Sequence, residues 1–254
     1  MKTFIDLIKQ RNEVLYYFGL VCFVAALLCL VLTRLTQTQV MSTNAWYKPA
    51  KFFLSTAIFV WSMAWYAYYL GNIRAVTWYS WGLIALFGFE DLYIALQAGR
   101  GQLSHFNIST LGYAGVYGLM ALVAVGISLW TAYIGVLFFR ADLSELSSAY
   151  VWGIRLGIIV FVIFSMQGLV MGSRLTHTIG GPDGSPGLPA VNWSRAYGDL
   201  RVAHFMGMHA LQVLPILAYY VLRNVTLTLL VGLLYGIVTT LVFIQAMHGK
   251  SLFR

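Results

Sequence analysis

The sequence predicts an all-α integral membrane protein: a single bundle of seven transmembrane helices, with its long loops on the side opposite the N-terminus. Three observations lead there. Of the 254 residues, 60% are hydrophobic and only 9% are charged, against about 45–50% and about 25% in soluble domains. Seven apolar stretches each reach the roughly 18 residues needed to cross a bilayer as a helix. Together they use most of the chain, so residues 1–254 read as one domain.

The same figures exclude other classes. A chain with 16% aromatic residues can bury ample apolar surface, so disorder is ruled out. The net charge of +8 comes from cations placed singly along the chain, without the patch that a nucleic-acid partner needs. The two cysteines, Cys22 and Cys29, lie seven residues apart in one helical run, too far along the axis for a disulfide.

The spans are expected at 14–32, 49–70, 75–97, 110–139, 150–173, 200–222 and 225–248. Pro49 suits the first turn of the second span. Asp199 suits the N-cap of the sixth, and Pro215 should kink that helix. Gly82 and Gly88 in the third span, and Gly112, Gly115 and Gly118 in the fourth, would allow close helix contact. No internal repeat is apparent. Connections on the N-terminal side are short, whereas 33–48, 98–109 and 174–199 on the other side are long. The last is rich in glycine and proline, from Gly180 to Pro189, and reads as an ordered loop able to act as a lid. Lys2, Lys9 and Arg11 before the first span lead to the expectation of a cytoplasmic N-terminus, although the other side carries more Lys and Arg in total.

The polar residues are distributed unevenly. All five histidines, His105, His177, His204, His209 and His248, fall in the half of the chain's map away from the N-terminus. Glu90, Asp91, Gln97, Gln167, Gln212 and Gln245 share that bias, and Lys48 and Lys51 open the second span from the same side. Ionisable groups at membrane depth are costly and usually mark function. A polar cavity opening to that side is expected.

Spacing limits the chemistry. His204 and His209 are five residues apart, about 140° around a helix, so they do not form the i, i+4 pair that clasps zinc. A metal would need His209, His177, His204, His105 or His248 brought together from different elements. A planar cofactor could instead take one axial histidine from each side. The expectation is a membrane-embedded protein that binds haem b or a transition-metal ion and performs redox chemistry. His177, His204, His209 and Arg201 would hold the cofactor, and Glu90, Asp91 and Gln212 would do acid–base work. The lipid bilayer is the expected partner, with a lipid, quinone or other hydrophobic small molecule as substrate. A metal-dependent hydrolase or transferase acting on lipid is one alternative. A proton-coupled transporter or sensor using Glu90 and the histidines is another. No phosphate loop, GxSxG elbow or Cys-rich metal set is present.

Overall fold

Thr3 opens the first helix, α1 (Phe4–Arg11), with a reciprocal cap in which its hydroxyl and the Asp6 carboxylate each accept a backbone N–H from the other's residue. This short helix lay outside the expected spans because eight residues are too few to show a hydrophobic period. Asn12 then caps α2 (Glu13–Leu35) by accepting the Leu15 N–H at 3.0 Å. A minimal hairpin of β1 (Gln39–Val40) and β2 (Thr43–Asn44) follows. It turns through Met41 and Ser42, both in the left-handed region at φ 50° and 61°. The chain continues through α3 (Tyr47–Ala67), α4 (Arg74–Gly99) and α5 (Leu111–Arg140). It ends with α6 (Ser148–Met166), α7 (Gly168–Arg174), β3 (Thr178–Ile179), β4 (Gly198–Asp199), α8 (Leu200–Leu217) and α9 (Val225–Met247). This computed structural model describes residues 3–71, 73–189 and 191–253.

Among the described residues, six helical stretches are long and apolar enough to cross a membrane: Glu13–Leu35, Arg74–Gly99, Leu111–Arg140, Ser148–Arg174, Leu200–Leu222 and Val225–Met247. The chain is a multi-pass helical membrane protein. Their outward faces carry exposed Val21, Leu28, Leu233 and Leu241, which only lipid can cover without cost. The stretch expected at 49–70 forms α3, long enough to span, but Lys48, Lys51 and its tyrosines leave it outside this set.

Residues 1–127 and 128–254 form two compact units. The first is built on α2, α3 and α4, with a core of Cys22, Ala26, Cys29, Ala50, Phe53 and Ala57. The second is built on α6, α8 and α9, with a core that includes Val160, Phe164, Ala203, Ala210, Leu214 and Val242.

The two units share one internal plan, although no repeat is apparent in the sequence. Ser147 caps α6 as Asn12 caps α2. Counting from the caps, the buried Leu15, Gly19, Cys22, Ala26 and Cys29 match the buried Tyr150, Ile154, Gly157, Phe161 and Phe164. α2 and, in the second unit, α7 end in closely similar runs, Arg34-Leu35-Thr36-Gln37-Thr38 and Arg174-Leu175-Thr176-His177-Thr178, and each run leads into a two-stranded hairpin. In α3 and α8 the buried Pro49, Thr56, Phe59, Val60, Met63, Ala64 and Ala67 match Leu200, Gly207, Ala210, Leu211, Leu214, Pro215 and Ala218 without insertion. Each register ends in Ala-Tyr-Tyr, at Ala67 and at Ala218, and in a departure from α geometry: a tight turn over Tyr68–Leu70 and a wide one over Ala218–Leu222.

The ends of α4 and α9 match atom for atom. The Gln97 amide donates to the Leu103 carbonyl at 3.2 Å, and the Gln245 amide donates to the Ser251 carbonyl at 2.9 Å. Gly101 and Gly249 turn the chain in the left-handed region, at φ 65° and 71°. The units differ chiefly in the hairpin: two residues close it in the first, whereas the 180–197 segment is inserted in the second.

Close helix packing uses different glycines from those expected. Gly88, Gly115 and Gly118 face open space. A Cβ at Gly153, Gly157 or Gly207 would instead run into Pro215, the Ala210 carbonyl or Phe164. The tight α6–α8 contact therefore depends on positions that flank Pro215.

Candidate functional site

In the first unit, three polar side chains form a chain. Lys48 is the second residue of α3, His105 lies in the loop after α4, and Glu90 lies within α4. The loop is fixed by the Gln97 amide and by the Asn107 amide, both donating to the Leu103 carbonyl at 3.2 Å. Lys48 Nζ lies 3.1 Å from His105 Nδ1. An ammonium only donates, so Nδ1 accepts and the ring proton sits on Nε2. That nitrogen faces Glu90 Oε1 at 3.9 Å, within ion-pair reach though beyond a hydrogen bond. Burial, and then the Lys48 charge, hold the His105 pKa well below the usual histidine value of 6.5. The Phe52 ring, 5.5 Å away, covers one side of the imidazole.

Asp91, beside Glu90, is buried to 1% exposure in the core between the helices. Neither of its oxygens has a partner in hydrogen-bond geometry, although the Thr56 hydroxyl lies against it.

The second unit holds the other histidines separately. His177 Nδ1 lies 3.1 Å from Asp183, whose carboxylate also accepts the Thr176 hydroxyl at 2.8 Å and the His177 N–H at 3.3 Å. His204 Nδ1 donates to the Phe164 carbonyl at 2.7 Å. His209 Nδ1 lies 3.3 Å from the Gln212 amide oxygen, with the Phe205 ring 4.2 Å away. His248 caps α9 and is exposed.

Arg201, expected at a cofactor, is fastened elsewhere. Its guanidinium holds the Asp199 carboxylate at 2.6 and 2.9 Å and the Asn192 carbonyl at 2.5 Å, so it ties the long loop to the start of α8. Burial raises the Asp199 pKa, but Arg201 and the Ser194 N–H outweigh it, and the net pKa lies below 3.8. Asp199 is also the N-cap expected from the sequence. A second contact of the 174–199 loop is Trp193, which stacks on Phe253 at 5.8 Å.

The structure thus brings Glu90 to His105, adds Lys48, and leaves Asp91 next to them. It does not gather the histidines: His105 belongs to the first unit, and His177, His204, His209 and His248 lie apart in the second. Among the described residues, no three His, Cys, Asp or Glu side chains are close enough to share a metal ion. His204 commits Nδ1 to the Phe164 carbonyl and His209 turns Nδ1 to Gln212, so each could offer a metal or haem iron only a single donor. Two shallow clefts in the second unit are lined by Ser147, Tyr219 and Arg223, and by residues from Leu143 to Arg155. No expected site residue lines either.

Sequence reasoning missed one contact. Lys48 reads as a lysine at the membrane surface, and nothing in its spacing points to a loop histidine 57 positions away. Asp183 reads by default as a solvated turn residue, with a histidine acceptor as the alternative, and it does orient His177. Comparison with protein-family models, curated proteins and solved structures gives no match to this chain.

Proposed function

We propose that this protein is a proton-coupled membrane carrier in which Glu90 takes up and releases the proton, with His105 and Lys48 setting its surroundings. The observation that carries this reading is the Lys48–His105–Glu90 chain, an ion-binding arrangement inside a chain of membrane-spanning helices. A fixed ammonium at one end and a carboxylate at the other let the Glu90 proton move while His105 stays neutral. The matching plans of the two three-helix units add support, because carriers are commonly built from repeats. In this reading α3 is a seventh span. Its counterpart in the second unit, Leu200–Leu222, has the length and hydropathy of a span, and α3 opens on the lysine that the site uses.

The test is proton flux in liposomes containing the purified protein, driven by an imposed pH gradient. Glu90→Gln is expected to lower the flux roughly a hundredfold, the lower range for a positioned proton-transfer group. Chelator treatment is expected to leave wild-type flux intact. Flux that is unchanged in Glu90→Gln would overturn the reading.

A second reading keeps a cofactor in the second unit. His204 favours it, because its Nδ1 is committed to the Phe164 carbonyl and its Nε2 is left as an acceptor. An absorbance spectrum of the purified protein with a Soret band, lost in His204→Ala, is the outcome this reading requires.

A further inference from the structure

The two units differ most at one place in their cores. Cys22, Cys29, Thr56 and Asp91 in the first occupy the positions held in the second by Gly157, Phe164, Gly207 and Thr239. In the second unit the position is closed and satisfied. Phe164 packs so tightly on Gly207 that a Cβ there would collide with it, and the buried Thr239 hydroxyl donates to the Tyr235 carbonyl at 2.8 Å. A three-helix unit of this plan therefore needs no acid at that point.

The first unit has one. Asp91 is 1% exposed, and both its oxygens lack a partner in hydrogen-bond geometry. Cys22 and Cys29 from α2 and Glu90 from its own helix are the titratable groups that interact with its charge, and α3 brings only the neutral Thr56 against it. An ionised carboxylate in such surroundings costs several kcal/mol, whereas the neutral acid gains a donor and can bond to one nearby oxygen. The two thiols and the carboxylate do not converge closely enough to hold a metal ion.

We infer that Asp91 is a second proton-binding site, held as the neutral acid in the core of the first unit and releasing its proton only when water or a cation reaches that core. The inference rests on the proton-coupled reading for what the proton is used for, but not for where it is held.

Infrared difference spectra of the full-length protein in lipid, recorded from neutral to alkaline pH, test the assignment. The wild type is expected to show the carbonyl stretch of a buried neutral carboxylic acid. The band should persist in Glu90→Gln and disappear in both Asp91→Asn and Asp91→Thr. The threonine variant installs the side chain of the second unit and guards against a misfolded asparagine variant. A band missing from the wild type, or unchanged in the Asp91 variants, would overturn the assignment. If the band behaves as expected and flux ignores Glu90, the carrier reading falls and the Asp91 site stands. If flux depends on Glu90 and no band exists, the reverse holds.

Discussion

Glu90 and Asp91 are neighbours in sequence with opposite surroundings. Successive residues on a helix point about 100° apart, so Glu90 turns toward His105 and Lys48 while Asp91 turns into the core against Thr56. The pair was legible in the sequence as two acids inside an apolar run. Their division of labour was not, because it depends on which neighbours α2, α3 and the loop bring to each face. The histidines teach the same point in reverse. Their shared position along the helices suggested a common site, but position along an axis says nothing about angle or neighbour. His204, His209 and His177 each settle on a local acceptor: a backbone carbonyl, an amide and a carboxylate.

At the scale of elements, six of the seven expected spans could be read to within a few residues because each is a long apolar run. The expected 75–97 and 225–248 became Arg74–Gly99 and Val225–Met247. What stayed hidden was short-range turn chemistry: α1, the two hairpins, and the matched ends of α4 and α9. Those ends are open to measurement. Gly101 and Gly249 hold φ near 65° and 71°, where an added Cβ costs about 1–2 kcal/mol. Space does not forbid the change, since the nearest atom to a Cβ at Gly101 is a Thr38 methyl at 3.4 Å. Gly101→Ala is therefore expected to lower the thermal midpoint of the purified protein by a few degrees, and Gly101→Asn, which tolerates this conformation, by less. Equal midpoints for the two variants would show that backbone conformation is not what fixes the glycine. The repeat was invisible for a related reason. The units agree in burial, caps and hydrogen bonds, whereas most of the residues that serve those roles differ, such as Asn12 against Ser147, Cys29 against Phe164 and Asp91 against Thr239, and the few identities are too scattered to show a period.

At the scale of the whole molecule, each unit carries among its described residues an ionisable group outside the spans whose pKa is depressed, the half-buried His105 and the buried Asp199, and the two lose their contributions at different pH. His105 is neutral in the folded protein, because burial and Lys48 keep its pKa well below 6.5. The unfolded chain takes up a proton there near pH 6.5, so stability falls as the pH drops below that value. Asp199 works lower on the scale. Its folded pKa lies beneath 3.8 despite burial, since Arg201 and the Ser194 N–H favour the carboxylate. Its contribution is present above about pH 4 and is lost as the pH falls through the folded value. In thermal midpoints measured in mild detergent, the His105 contribution should therefore be flat above about pH 7 and decline from about pH 6.5 to 5, and the Asp199 contribution should decline below about pH 4, both superimposed on the opposite slope that a neutral Asp91 adds above about pH 4. His105→Phe, which removes the titrating ring and keeps an aromatic against Phe52, should flatten the first decline and leave the second. Asp199→Asn should lower the midpoint at neutral pH and converge on the wild type in acid, because protonation removes from Asp199 the charge that asparagine already lacks. A first decline that survives in His105→Phe would mean that His105 is not held neutral by Lys48, and the ordering of the Lys48–His105–Glu90 chain would have to be redrawn.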